Sequence, residues 1–185
     1  MIHLLHRLSL GLASRSRNLA YRWLGVDLRG YCWLRSIEIP RNWADVTLHG
    51  CALDRGVVLL CSGAPRPGKI EIGHGAYLNR CTMLDAHECI QIGRDVMIGP
   101  HCYVTDGEHG TAPGASVKSQ PITARPVIIE DEAWLGAHVT VLSGVRIGRG
   151  AVIGAGSVVT RDVPAGTIAF GSPATARRQR ASPNP

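Results

Sequence analysis

From Ile129 to Pro164 the chain repeats every six residues. Ile129, Leu135, Val141, Ile147, Ile153 and Val159 each open a block. A helix repeats at about 3.6 residues and a half-buried strand at two, so this period fits neither. Hexads are the sequence sign of a parallel β-helix. Physically that is a triangular solenoid, in which each block makes one flat face and one corner, and three blocks close a coil. The opening aliphatic residue points inward and stacks on its equivalent one coil away. Gly136, Gly144, Gly148, Gly150, Gly154 and Gly156 suit tight corners. An earlier run opens at Ile72, Leu78, Leu84, Ile92, Ile98 and Val104. Its one long step, from Leu84 to Ile92, makes Ile90 and Gln91 read as a two-residue insertion at a corner. Residues 106–126 separate the two runs, and a long irregular loop on a solenoid is where function is expected.

A chain of 185 residues suits one domain with a real core, and the scarcity of aromatics (5%) suits a core of stacked aliphatics. The six cysteines, at 32, 51, 61, 81, 89 and 102, lack the paired spacing of a zinc site. They read as small core residues of a protein in the reducing cytoplasm. His6 and Arg7 interrupt the apolar N-terminal run, so it is read neither as a leader nor as a membrane span. The net charge of +6 is uneven, with seven arginines against Asp27 and Glu38 in the first 41 residues and a second cluster at Arg177, Arg178 and Arg180. Aromatics do not interleave with these charges, which excludes the usual nucleic-acid surfaces.

Residues 2–24 are expected to be helical, with Leu5, Leu8 and Leu12 on one stripe, Leu19, Trp23 and Leu24 on another, and Gly25 as the stop. Such a helix packs on the solenoid end or on a neighbouring subunit, or it lies as a basic amphipathic helix on an anionic membrane. Residues 26–56 alternate weakly, in V-D-L-R-G-Y-C-W-L-R and V-T-L-H-G-C-A-L, and read as irregular first coils ahead of the regular solenoid. The expected layout is therefore a helical and irregular segment over 1–56, the β-helix over 57–176 with its loop at 106–126, and a basic tail over 177–185.

Three runs carry a family resemblance: A-W-L-G-A-H-V-T-V-L-S-G-V-R-I-G from Ala133, G-A-V-I-G-A-G-S-V-V-T-R-D-V-P from Gly150, and F-G-S-P-A from Phe170. Together they resemble the hexapeptide-repeat acyltransferases over about 57–180. The nearest branch is the O-acetyltransferases of maltose, galactosides, nodulation factors and colanic-acid-type polysaccharides. The resemblance implies an all-β solenoid with a left-handed coil, against the usual right-handed rule for crossovers. It implies acetyl-CoA as donor, a carbohydrate hydroxyl as acceptor, and a homotrimer with its sites between subunits.

His109, in Y-V-T-D-G-E-H-G at the start of the long loop, is the candidate general base. Acyl transfer to an alcohol needs a base that works near neutral pH, and histidine suits it. The resemblance places the base at this position, and Asp106, Glu108 or a backbone carbonyl is expected to orient it. Tyr77-Leu78-Asn79 matches the start of the acceptor pocket, Asp85 the acceptor-contacting carboxylate, and Trp134 an aromatic beside the acceptor or the pantetheine arm. Small residues at Gly136, Ala137, Ala155 and Gly156 would let pantetheine approach the backbone. Thr160 and Arg161 match a Thr-Lys pair near the adenosine phosphates, and Arg178 is a further phosphate partner. Ala137 stands where galactoside-type enzymes carry Ser, Ser172 replaces a common Asn and Thr175 a common Lys, so contacts there differ. His138 is expected to be structural or exposed. Direct transfer needs no acyl-enzyme and no metal. The competing classes are acetylation of another small acceptor (serine or an antibiotic), a non-catalytic scaffold, and a γ-carbonic-anhydrase-type metal hydratase. The histidine spacing argues against the last, because no close pair of ligands accompanies a third.

Overall fold

A computed structural model describes residues 2–181, with side chains from residue 8 onward. The side chains of Leu5, His6 and Arg7 and the tail residues 182–185, all part of the sequence reading, lie outside these described residues.

After one helix, Ile2–Leu24, the chain winds into a left-handed parallel β-helix with three sheets as its faces. The first face stacks Asp27–Arg29, Val46–His49, Ile70–Ile72, Ile90–Ile92, Val127–Ile129 and Arg146–Ile147. The second stacks Trp33–Leu34, Ala52–Leu53, Tyr77–Leu78, Met97–Ile98, Trp134–Leu135, Val152–Ile153 and Thr167–Gly171, and ends in the antiparallel strand Ala174–Gln179. The third stacks Val58–Cys61, Met83–Ala86, Tyr103–Thr105, Thr140–Val141 and Val158–Val159. Every hexad-opening residue expected to point inward is 3% exposed or less. Leu78, Ile98, Leu135 and Ile153 pair in direct register up the second face, so the core is a set of aliphatic columns.

Four expectations are corrected. Strand pairing starts at Asp27, in register with Thr47, so the β-helix begins there and not at 57, and the weakly alternating stretches are its first coils. Ile90 and Gln91 are not a corner insertion: they form a first-face strand in register with Ile70 and Glu71, and the extra residues sit in the turn at His87–Cys89. The long loop is not wholly irregular, because Gly107–His109 pairs antiparallel with Ile122–Ala124. Likewise Arg177 and Arg178 belong to the closing strand and not to a free tail.

The glycines divide by function. Gly156 turns a corner with φ 71°, at the place where His138 (57°), His101 (58°) and Cys81 (57°) turn the coils below. Gly136 serves close approach instead, since a Cβ there would stand 2.7 Å from the Ala155 amide nitrogen. Insertions collect at the corner between the third and first faces. One of them, residues 62–68, is held from beneath by Lys69, which is 1% exposed. Its ammonium donates to the carbonyls of Ser62 and Ala64 at 2.6 Å each and pairs with Asp45 at 3.3 Å. A buried cation is tolerable only when paired and hydrogen-bonded in this way.

Candidate active site

The third face has two edges, and the candidate residues divide between them. At its far edge, where the chain turns to the first face, Asp85 ends a row of outward residues on Met83–Ala86. Its Oδ2 accepts a hydrogen bond from Tyr103 Oη at 3.0 Å, while Oδ1 is shielded and has no hydrogen-bond partner among the described residues. His87 stands just beyond, with Nε2 at 3.9 Å from that Oδ1. The His87 ring lies against Gly107, where an added Cβ would come within 2.6 Å of it. Gly107 opens the short strand that ends at His109. Asp85, His87 and the His109 hairpin thus form one continuous cluster.

His109 is exposed, and its imidazole has no hydrogen bond to any described residue. Neither carboxylate expected to orient it does so. Asp106 is 0% exposed and accepts three backbone N–H bonds, from His87 (2.6 Å), Glu88 (2.8 Å) and Cys89 (2.6 Å). Glu108 pairs with Arg125 at 3.2 Å. Asp106 therefore ties down the turn on which the cluster is built.

At the near edge, where the second face turns to the third, Tyr77 donates its hydroxyl to Asp54 at 3.2 Å. Asp54 also accepts from the Arg55 amide at 2.7 Å and pairs with Arg35 (3.2 Å) and Arg80 (3.6 Å). Burial pushes this carboxyl up, but the Arg55 amide, Arg35, Tyr77 and Arg80 outweigh it and hold the group below the usual carboxylate range. Burial and then Asp54 push the Tyr77 phenol up. Asn79 follows at the same corner, its Oδ1 accepting from the Arg80 amide at 2.8 Å. Gly136 and Ala137 lie two coils above, with Ala155 and Gly156 on top of them. His138, exposed as expected, stacks on His101 at this corner with ring centroids 5.0 Å apart.

Trp134 is 49% exposed on the flat second face, between Met97 (51%) and Val152, with Tyr77 next below Met97. Thr160 and Arg161, both exposed, sit on the far edge of the top coil. Arg178 lies on the closing strand opposite Ile168. A single chain thus brings Asp85 and His109 to one edge and Tyr77, Asn79 and the four small residues to the other. A strand of four residues, about 13 Å at roughly 3.3 Å per residue, separates them.

Sequence reasoning missed Asp54, His87 and Tyr103. The register could have pointed to Tyr103, which falls beside Met83 and one residue before Val104. Nothing in the period marks Asp54 or His87, because both stand at corners. A hollow of about 520 Å³ on the first face lies away from this cluster. A hydrogen-bond-length contact, His49–Glu71 at 2.8 Å, and an ion pair, Arg94–Asp131 at 3.0 Å, span it, so its polar groups already have partners. Among the described residues no group of three His, Cys, Asp or Glu side chains is placed to hold a metal ion.

A family model described as "hexapeptide repeat of succinyl-transferase" matches residues 126–161. The galactoside O-acetyltransferase of Lactococcus lactis is 40% identical over 111 residues, 60% of this chain and 53% of that protein. A probable acetyltransferase of Mycobacterium tuberculosis is 32% identical over 170 residues, 89% of this chain and 51% of that one. The chain therefore spans about half the length of these curated relatives. A hexapeptide-repeat-containing acetyltransferase of Vibrio cholerae, solved in complex with acetyl coenzyme A, superposes with a TM-score of 0.60 at 30% identity, over 67% of this chain and 66% of that chain.

Proposed function

We propose that this chain, which belongs to the hexapeptide-repeat acyltransferase family, moves an acetyl group from acetyl-CoA to a hydroxyl of a carbohydrate, a glycan or glycan precursor, with His109 as general base. The observation that carries this reading is the free, exposed imidazole of His109, at the end of a hairpin strand whose first residue, Gly107, lies against His87, which stands 3.9 Å from Asp85. His109 takes the proton of the acceptor hydroxyl as its oxygen attacks the thioester carbonyl. The tetrahedral oxyanion then collapses, the C–S bond breaks, and the imidazolium returns its proton to the CoA thiolate. Asp85 accepts a neighbouring sugar hydroxyl and so selects which one meets the base.

Gly136, Ala137, Ala155 and Gly156 offer a corner of bare backbone against which pantetheine can lie. Trp134 flanks it, while Tyr77 (fixed by Asp54) and Asn79 meet the acceptor. Arg161 and Arg178 take the phosphates, Thr160 beside them. The two edges of the third face are too far apart to serve one reaction in one chain, so the far edge of one copy works with the near edge of the next. A homotrimer supplies three such sites. Light scattering is expected to give three times the 19.8 kDa chain mass, and a fully active monomer would contradict the arrangement. Five buried free thiols and a CoA donor suit the cytoplasm. A lipid-linked glycan precursor would bring the acceptor to a bilayer face.

The test is calorimetric titration of the purified protein with acetyl-CoA, followed by a panel of sugars in a thiol-release assay. Micromolar donor binding is expected. The double variant Arg161→Ala/Arg178→Ala should weaken it about tenfold to a hundredfold, the size of one or two lost charge-assisted bonds. No binding at millimolar donor would overturn the reading.

A further inference from the structure

We infer that the outward face of the N-terminal helix is a docking surface for an anionic lipid bilayer. The helix is mounted inside out. Its polar side faces the solenoid, where the open edge of the first coil presents unpaired backbone groups that would otherwise template another strand. Ser14 Oγ and Asn18 Nδ2 donate to the Cys32 carbonyl at 3.3 and 2.7 Å. The same two side chains accept from the amides of Leu34 and Cys32 at 3.0 and 3.1 Å. Arg17 donates to the Leu34 carbonyl at 3.2 Å and Tyr21 to that of Ile37 at 3.0 Å. These bonds fix the rotation of the helix, so it cannot turn its apolar side inward.

That apolar side is bare. Leu8, Leu12, Leu19 and Trp23 are 55, 62, 71 and 87% exposed. At 100° per residue these four fall within a sector of about 60°, so Leu8 and Leu12 of one expected stripe and Leu19 and Trp23 of the other share one narrow ridge, while Leu24 falls outside it and is half-buried. No Asp or Glu occurs in the helix. Two hollows flank the ridge where the helix meets the first coil. One, of about 550 Å³, joins Leu8 and Leu12 to Arg15, Trp33 and Arg35. The other, of about 320 Å³, joins Leu19 to Arg15, Arg22 and Tyr31. Each holds Arg15, which has no ion pair among the described residues, beside an exposed aromatic ring; Arg22 adds a second cation to the smaller hollow, while Arg35 in the larger is paired with Asp54. That is the chemistry of a lipid headgroup layer: apolar ridge below, interfacial Trp and Tyr, arginines at the level of the phosphates. A second copy of the chain is the weaker candidate. It would have to supply carboxylates, and of those in the N-terminal coils Asp27 is engaged with Arg29, Asp45 with Lys69 and Asp54 with Arg35, which leaves Glu38 as the one without an ion pair among the described residues. Among the described residues no helix is long and apolar enough to cross a membrane, so the contact is peripheral.

The experiment is flotation of the full-length protein with vesicles of phosphatidylcholine alone or mixed with equal phosphatidylglycerol. The protein is expected to float with the anionic vesicles only, and to stay down at about 1 M salt, where the screening length is about 3 Å. Leu12→Ser/Leu19→Ser/Trp23→Ser should abolish flotation without changing the circular dichroism or the mass in light scattering. Arg15→Glu should weaken partitioning roughly tenfold, because that residue lines both hollows. A protein that stays down with anionic vesicles, or floats equally with neutral ones, overturns the inference. So does a serine variant that floats unchanged, or one whose mass drops, which would mean that a second copy covers the ridge. Acetyl transfer does not enter this argument, and failure here leaves that reading standing.

Discussion

Replacing His109 with Ala lowers kcat for acetyl transfer by about two to four orders of magnitude, the usual contribution of a positioned acid–base group. In barrier terms that is about 3 to 5 kcal/mol. Acetyl-CoA affinity stays near that of the parent protein, because the donor contacts assigned to the corner residues and the arginines do not include the imidazole. The fold should also be untouched, since the side chain is exposed and makes no hydrogen bond to a described residue. A thiol-release assay read alongside calorimetry separates the two effects. Near-parental turnover would remove His109 from the reaction and direct attention to His87, whose Nε2 lies 3.9 Å from Asp85. Weakened donor binding with unchanged kcat would instead make His109 a binding group.

The later coils were legible because their hexads run without interruption from Ile129 to Val159, and each opening aliphatic lands in a core column. The first coils were not, because their inward residues break the period. Leu28 and Leu34 are six apart, but Leu48 and Leu53 are only five, and residues 62–69 intervene before Ile70 and Ile72. A corner can gain or lose residues without disturbing the faces, so the structure stays regular where the sequence does not. The helix misled in another way. Apolar stripes usually mark the buried side, but this helix covers the edge of a strand, and an edge needs donors and acceptors. Ser14 and Asn18 are therefore buried while Leu19 and Trp23 are not. In the candidate site, the placing of Ala137 beneath Ala155, three hexads later, follows directly from the six-residue period. The separation of His109 from Tyr77 does not, because it depends on which edge of a face each corner occupies.

Asp106 shows how a functional-looking carboxylate can be structural, and it gives the largest expected change in stability. Asp106→Ala should destabilise the fold by roughly 4 kcal/mol or more. Three amides of the His87–Cys89 turn donate to this one carboxylate at 2.6 to 2.8 Å, and it is 0% exposed. The turn carries the extra residues between the Met83–Ala86 and Ile90–Ile92 strands, so the solenoid ladder supplies these amides with no partner of their own. Each stranded buried donor costs about 1 to 3 kcal/mol. For a chain of this length that loss lowers the melting temperature by roughly 10 °C. Asp106→Asn should recover little, because its amide nitrogen would face donors. Thermal unfolding followed by circular dichroism reads the result, and a shift under about 2 °C would mean that the turn finds other acceptors. The same variant discriminates between roles. If Asp106 only supports the turn, cooled Asp106→Ala that remains folded keeps acetyl-CoA binding and part of its turnover, lost in proportion to how far the hairpin moves. If it acts through His109, turnover falls to the His109→Ala level while the protein is still folded, and combining the two substitutions costs nothing more.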